Sequence, residues 1–238
     1  MEALVKDAKR AIKGNDAAAL RDAIRRGADV NGMTPCREKK SGICGLCPLL
    51  YRAALKGLPG MCEILLTKGA DPKTQSTIDG GVALHVAAHH GSTACICLLL
   101  RAGADVNARA NIGTTPLHTA CLYGQVHAVE LLIAAGANLE ARKQYGFTPL
   151  RRALIAGHRE VALTLLRAGA PITVLPTKWI KPRNEALQDY MVDIVDTGGW
   201  NARVERHRRP LMSILSNLAL PHDALLTILS FWSPPGGR

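Results

Sequence analysis

One spacing recurs through most of this sequence. Glycine–alanine pairs, a second set of glycines and a set of leucines each repeat at intervals of 34, 33 and 33 residues. The members are Gly69, Gly103, Gly136 and Gly169, each followed by alanine; Gly57, Gly91, Gly124 and Gly157; and Leu50, Leu84, Leu117 and Leu150. Three series in one phase predict a structural unit that is copied along the chain, each copy burying its apolar face against its neighbours.

The clearest copy begins at Gly113 and predicts two short helices joined by a turn. Thr115 has the side chain of a helix N-cap, and Pro116 suits the first helical turn because its missing N–H would be unpaired there. Gly124 lets the chain reverse before a second helix, which we expect to end at Gly136 in a left-handed residue. The spacing therefore indicates stacked helical hairpins.

The residues of this copy, TTPLHTACLYG followed by LLIAAGANLEA, resemble the ankyrin repeat. The resemblance covers residues 79–108, 111–141 and 145–171, and more weakly 48–72 and 3–31. It implies an all-α ankyrin-repeat solenoid of about five units, each a helix–turn–helix with a β-turn, followed by a helical extension. The expected organisation is a diverged repeat at 1–31, an inserted loop at 32–44, four repeats at 45–171, a linker at 172–183 and a helical C-terminal segment at 184–238.

The resemblance also implies which side chains hold the scaffold and which meet a partner. His85 and His118 take the histidine position of the TPLH motif, where the imidazole bonds neighbouring turns. A partner protein is expected on the concave face, at the β-turn tips and along the exposed side of the first helices. The tip residues are Ile78, Asp79, Asn111, Ile112, Thr114, Gln144, Tyr145 and Phe147, and the helix residues are His89, His90, Tyr123 and Ile155. Arg142, Lys143 and Arg152 are expected to match acidic residues on the rim of that partner.

The chemistry of the repeats favours binding over catalysis. They contain no Ser/His/Asp set, paired carboxylates or phosphate-binding loop, so we expect neither an enzyme, a cofactor nor a small-molecule substrate. The net charge of +11 is spread along the chain rather than gathered in a stripe, which is atypical of a nucleic-acid interface. Its expected effect is faster, salt-dependent association with acidic proteins. No apolar run reaches the roughly 18 residues of a membrane span.

Seven cysteines occur without the pattern of a small secreted domain, and the first residues lack a hydrophobic signal core. We therefore expect free thiols and a cytoplasmic or nuclear location. Cys36, Cys44 and Cys47 lie in the insert, where Cys44-x2-Cys47 has zinc-knuckle spacing. Because a fourth ligand does not follow at a fitting distance, three free thiols in a solvated loop are the favoured interpretation, with zinc as the alternative.

The sequence LPHDALLTILSFW near the end of the chain allows two interpretations. It resembles the opening of an F-box, and the length of residues 199–238 resembles a SOCS box, which implies contact with a cullin adaptor. The residues concerned are Leu220, Pro221, Leu225, Ile228, Leu229 and Trp232. The chain would then be a substrate receptor of a cullin-type ubiquitin ligase. The favoured alternative is a helical cap that covers the apolar end of the solenoid.

Overall fold

A computed structural model describes residues 2–37 and 44–171 of this chain. In these residues ten α-helices form five antiparallel pairs. The pairs are α1 (Glu2–Gly14) with α2 (Ala17–Arg25), α3 (Leu49–Leu55) with α4 (Pro59–Thr67), α5 (Ala83–His90) with α6 (Thr93–Arg101), α7 (Pro116–Tyr123) with α8 (Val126–Ala134), and α9 (Pro149–Ala156) with α10 (Arg159–Arg167). We number the pairs as repeats 1 to 5. The predicted all-α solenoid is confirmed in this part of the chain.

The boundaries of the first helices follow from the capping residues. The Thr115 hydroxyl accepts a hydrogen bond from the His118 N–H at the start of α7, and Thr148 does the same for Arg151 in α9. Proline follows each threonine at the first helical position, where it leaves no donor unpaired. Helix α7 is capped at its C-terminal end by Gly124, whose φ of 72° lies in the left-handed region and lets α8 fold back.

The repeats are held together by packing between equivalent helices. The first helices α3, α5, α7 and α9 pack on one another in order, as do the second helices α4, α6, α8 and α10. Small side chains such as Ala87 and Ala120 allow the first helices to approach closely, while Leu99 and Leu132 fill the space between the second helices. All four of these side chains are fully buried, so each repeat depends on its neighbours for its core.

The insert differs from the solvated loop that we expected. Strands β1 (Met33–Arg37) and β2 (Cys44–Pro48) form an antiparallel pair in which Thr34 lies opposite Cys47. The Arg52 guanidinium, from α3, donates to the Pro35 carbonyl at 2.8 Å and to the Thr34 hydroxyl at 3.1 Å. Cys47 is completely buried. An arginine outside the insert thus bonds β1 to the second repeat.

The predicted linker at 172–183 and helical segment at 184–238 lie outside the described residues. Among the helices that the structure does describe, none has both the length and the apolar character needed to cross a membrane.

Candidate protein-binding surface

The tips of repeats 4 and 5 share an unusual backbone. Each contains a short 3-10 turn, Asn111–Gly113 or Gln144–Gly146, closed by a hydrogen bond between flanking main-chain groups. The middle residues, Ile112 and Tyr145, have φ values of 59° and 63°. Left-handed backbone costs a non-glycine residue about 1–2 kcal/mol and is especially unusual for a β-branched side chain such as isoleucine. Both side chains nevertheless point outward, with 56% and 82% of their surfaces exposed.

Two buried histidines hold these tips in place. The His85 ring donates from Nε2 to the Thr114 carbonyl at 3.0 Å, and the His118 ring donates to the Phe147 carbonyl at 2.8 Å. The tautomer is fixed because each Nδ1 accepts from the residue at its own N-cap, Val82 or Thr115. The predicted scaffold role of both histidines is confirmed.

Burial keeps both imidazoles neutral. Desolvation lowers the pKa of His118 to about 4, and the cations Lys143, Arg152 and Arg109 add to this effect. Desolvation also lowers the pKa of His85, against the opposing influence of its bond to Thr114. A neutral ring retains one donor and one acceptor, which are the two roles that each histidine plays here.

The predicted residues on the first helices lie at the ends of those helices. Tyr123 ends α7 with 44% of its surface exposed, and Ile155 lies at the end of α9 with 41% exposed. The half-buried His89 ring meets the Tyr123 ring edge to face, with centroids 3.9 Å apart, and stacks similarly on the exposed His90. His89 therefore supports the position of Tyr123, and the exposed aromatic surface belongs to the tyrosine.

The tip of repeat 3 serves the scaffold more than we expected. Asp79 accepts hydrogen bonds from the Tyr51 hydroxyl at 3.1 Å and from the Gly81 N–H at 3.0 Å. Its main-chain carbonyl also accepts from the Asn111 N–H at 2.9 Å, which joins repeats 3 and 4. Ile78 is half-buried and lies against Gly45 in β2. Asp79 and Ile78 thus stabilise contacts within the chain.

Of the other tip residues, some are exposed for contact with a partner and some support the scaffold; they are Thr114, Gln144 and Phe147. Gln144 is exposed, whereas Thr114 is half-buried and gives its carbonyl to His85. Phe147 is also half-buried, and the Arg151 guanidinium carbon lies 4.2 Å from the centre of its ring. Phe147 is therefore occupied by an internal cation–π contact rather than presented as a free anchor.

Basic side chains gather beside the exposed tip residues. Arg109 donates to the Arg142 carbonyl at 2.7 Å, which brings the guanidinium across to repeat 5. Burial, followed by the charge of Arg152, lowers the pKa of Lys143. In the described part of the chain the three ion pairs are Lys6–Glu2, Arg10–Asp7 and Arg26–Asp22, all in repeat 1. Within that part, Arg142, Lys143 and Arg152 have no acidic partner, so this edge carries a positive field.

The cysteines of the insert are placed by the hairpin. Cys36 is half-buried, and the Cys47 thiol accepts from the Arg52 guanidinium at 3.3 Å. Burial raises the pKa of Cys47 to about 11, which opposes formation of the thiolate that a metal ligand needs. Among the described side chains, no group of three or more metal-ligating residues comes together. The side chain of Cys44 and the possible adaptor residues from Leu220 to Trp232 lie outside that description.

Two similarities to known proteins accord with this architecture. A family model described as ankyrin repeats in three copies matches residues 9–110 and 84–175. The rat protein "Ankyrin repeat and SAM domain-containing protein 6" is 38% identical over 71 residues, which is 30% of this chain and 8% of that relative. The chain thus spans less than a tenth of the relative's length. Because the family match extends over most of the sequence, the chain belongs to the ankyrin repeat family, a type of non-enzymatic scaffold for protein–protein interaction.

Proposed function

We propose that this chain recognises a partner protein through one surface of repeats 4 and 5, without catalysing a reaction. This "tip surface" consists of the apolar residues Ile112, Tyr123, Tyr145 and Ile155 and the basic residues Arg142, Lys143 and Arg152. The observation that carries the proposal is the solvent exposure of large hydrophobic side chains. In the described residues, five large hydrophobic side chains are exposed, and four of them lie on this surface; the fifth, Leu46, lies on the hairpin.

The energetics of the two tips support a role outside the fold. A left-handed Ile112 or Tyr145 costs free energy, and its exposed side chain recovers little by burial. Burying one such side chain against a partner would contribute about 1.5–3 kcal/mol. Backbone strain that the repeat does not need is commonly stored where a ligand binds.

The charge of the surface indicates the character of the partner. Three basic residues without acidic partners among the described residues favour a protein whose rim is acidic. Such complementarity accelerates encounter, and salt weakens it. Tyrosine and arginine are also enriched among the residues that dominate binding energy at interfaces.

A tip variant separates loss of binding from loss of folding. Asparagine tolerates left-handed backbone, so Ile112→Asn with Tyr145→Asn should leave the melting temperature unchanged or slightly raised. The same double variant should weaken capture of the partner from native lysate by at least about tenfold, because two apolar anchors are lost. Captured proteins are quantified by mass spectrometry, in parallel with wild type.

Leu46→Asn is the matched control, because it removes an exposed apolar side chain from the hairpin and should leave capture unchanged. Equal capture by the wild type and the double variant would contradict the proposal.

The resemblance of Leu220–Trp232 to an F-box opening supports a second proposal, that residues 200–238 bind a cullin adaptor. The same capture experiment compares the full chain with a chain ending at residue 199. Circular dichroism first shows that the shorter chain is folded. An adaptor that is recovered with the full chain and lost with the shorter one would make the protein a ligase substrate receptor. If neither chain recovers an adaptor, this second proposal fails while the tip surface stands.

A further inference from the structure

Arg109 reaches from the tip of repeat 4 to that of repeat 5. Its guanidinium donates to the Arg142 carbonyl, 2.7 Å away in the segment that leads to the tip of repeat 5. It also passes close to Gly113, where an added Cβ would lie 2.8 Å from Nη2 of Arg109 and 3.4 Å from the Cα of Lys143. The charge of Arg109 is therefore held beside Lys143, at the boundary between repeats 4 and 5.

Arg109, Lys143 and Arg152 form a cation cluster at this boundary. These are the three charges that act on the pKa of the buried His118 ring, and all of them are positive. The charge of Arg152 also helps to lower the pKa of Lys143, so those two side chains lie near each other. No acidic residue of the described chain pairs with any of the three. Because like charges repel, the cluster is stabilised when an anion joins it.

The tip of repeat 3 carries an acidic residue that the later tips lack. Asp79 opposes the lowering of the pKa of its neighbouring histidine, and its register position is occupied by Gly113 in repeat 4 and Gly146 in repeat 5. Conversely, the positions of Lys143 and Arg152 are uncharged in repeats 3 and 4, where they are occupied by Ser76 and Ala110, and by Val86 and Thr119. The positive charge is therefore a property of this boundary and not of the repeated scaffold.

Repeat 2 shows what an arginine at the position of Arg152 can hold. Arg52 takes the same register position, and its guanidinium donates to the Pro35 carbonyl at 2.8 Å and to the Thr34 hydroxyl at 3.1 Å. It thereby bonds an extended segment, strand β1, to the first helix of repeat 2. The Arg152 guanidinium has no hydrogen-bond acceptor among the described residues. An extended segment of another protein fits the equivalent place beside α9.

We propose that the cation cluster binds the phosphate group of a phosphorylated serine or threonine in an extended segment of the partner protein. This inference rests on the proposed function, because it gives the chemistry of a group that the tip surface recognises. A phosphoserine carries a charge of about −1.5 to −2 at pH 7 and three acceptor oxygens. These oxygens match donors from Arg109, Lys143 and Arg152, whereas a carboxylate offers less charge and two oxygens.

The arrangement favours a peptide over a nucleic acid. The cluster surrounds one place and does not form the stripe that follows successive phosphates of a nucleic acid. The exposed Ile112 and Tyr145, on the tips that follow Arg109 and Lys143, offer apolar contacts to the side chains that flank a phosphorylated residue.

Binding of degenerate peptides to the immobilised full chain tests this inference. The probes are fluorescent peptide libraries with the same randomised flanks, which differ only in a central phosphoserine, serine or glutamate. Retention of the phosphoserine library should exceed that of the serine library by at least about tenfold and that of the glutamate library by at least about threefold. Equal retention of the phosphoserine and glutamate libraries would overturn the inference, and so would equal retention of the phosphoserine and serine libraries.

Substitutions in the cation cluster locate the site. Arg109→Gln and Arg152→Gln, made separately and shown by thermal melting to be folded, should each reduce retention of the phosphoserine library to within about threefold of the serine library. Arg101→Gln, which changes an exposed arginine at the end of α6, is the matched control and should retain the library like the wild type. Undiminished retention by both cluster variants would overturn the inference. So would a random-sequence RNA that binds more tightly than the phosphoserine library and displaces it.

Phosphatase treatment of the lysate separates this inference from the proposed function. Capture by the wild-type chain should be lost after treatment and preserved when phosphatase inhibitors are present. If capture survives the treatment but is lost in the Ile112→Asn, Tyr145→Asn double variant, the phosphate inference fails and the proposed function stands. If the double variant captures the partner as well as the wild type does, the proposed function itself fails.

Discussion

Replacing Gly124 with alanine is expected to lower the free energy of unfolding by about 3 kcal/mol, because backbone strain and a steric clash act together. Gly124 has a φ of 72°, which an alanine adopts only at a cost of about 1–2 kcal/mol. An added Cβ would also lie 2.6 Å from Nδ1 of His158. The same ring bonds through Nε2 to the Leu122 carbonyl at 3.0 Å, a link between repeats 4 and 5 that the clash would break.

Gly136→Ala provides the matched comparison. Gly136 has a similar φ of 85°, yet an added Cβ there would meet no atom within 4 Å. The Gly136→Ala variant should therefore lose only about 1–2 kcal/mol of its free energy of unfolding, which is the cost of the backbone strain. Urea unfolding followed by circular dichroism measures both variants. Equal losses at the two positions would show that the His158 contact adds nothing to the stacking of repeats 4 and 5.

The second large effect concerns pH. Burial lowers the pKa of His118 to about 4 from an ordinary value of 6.5, so the unfolded chain binds a proton that the folded chain excludes. The stability that the neutral ring provides is fully present above pH 6.5 and is lost as the pH falls toward 4. Each pH unit corresponds to about 1.4 kcal/mol, which gives a loss of about 3 kcal/mol across this window.

The contribution of His118 is isolated by comparing wild type with His118→Gln, which removes the titrating group. The variant should be less stable at pH 7, and its stability should decline less steeply between pH 6.5 and 4. Urea midpoints at closely spaced pH values measure the difference. His127→Gln changes an exposed imidazole on α8 and should follow the wild-type curve. Parallel curves for the wild type and His118→Gln would refute the assignment.

The sequence predicted the helical scaffold well because each repeat encodes the same local and nearest-neighbour contacts. The N-cap at Thr115, the proline after it and the left-handed Gly124 are local features with characteristic residues. The roles of His85 and His118 followed from the motif that surrounds them. In a solenoid such local rules, applied repeatedly, determine most of the fold.

The sequence predicted less well where a residue departs from the repeat. Strands β1 and β2 are both bonded by Arg52, whose position in a helical segment gives no hint that its guanidinium donates to Thr34 and Pro35 in one strand and to the Cys47 thiol in the other. From their positions in the repeat, Asp79 and Phe147 were expected to face a partner protein. In the structure Tyr51 contacts Asp79, and Arg151 contacts Phe147. Both of those side chains replace the motif histidine. Both replacements are visible in the sequence, so they were the signal from which these two contacts could have been predicted.

The most direct test of the tip surface is a hydrogen-exchange footprint of the chain alone and saturated with the partner that the capture experiment isolates. Exchange should slow at Asn111–Gly113 and Gln144–Gly146 and at the ends of α7 and α9 that carry Tyr123 and Ile155. The second helices α6, α8 and α10 should be little changed. Slowing confined to those second helices, with the two tips unaffected, would contradict the account.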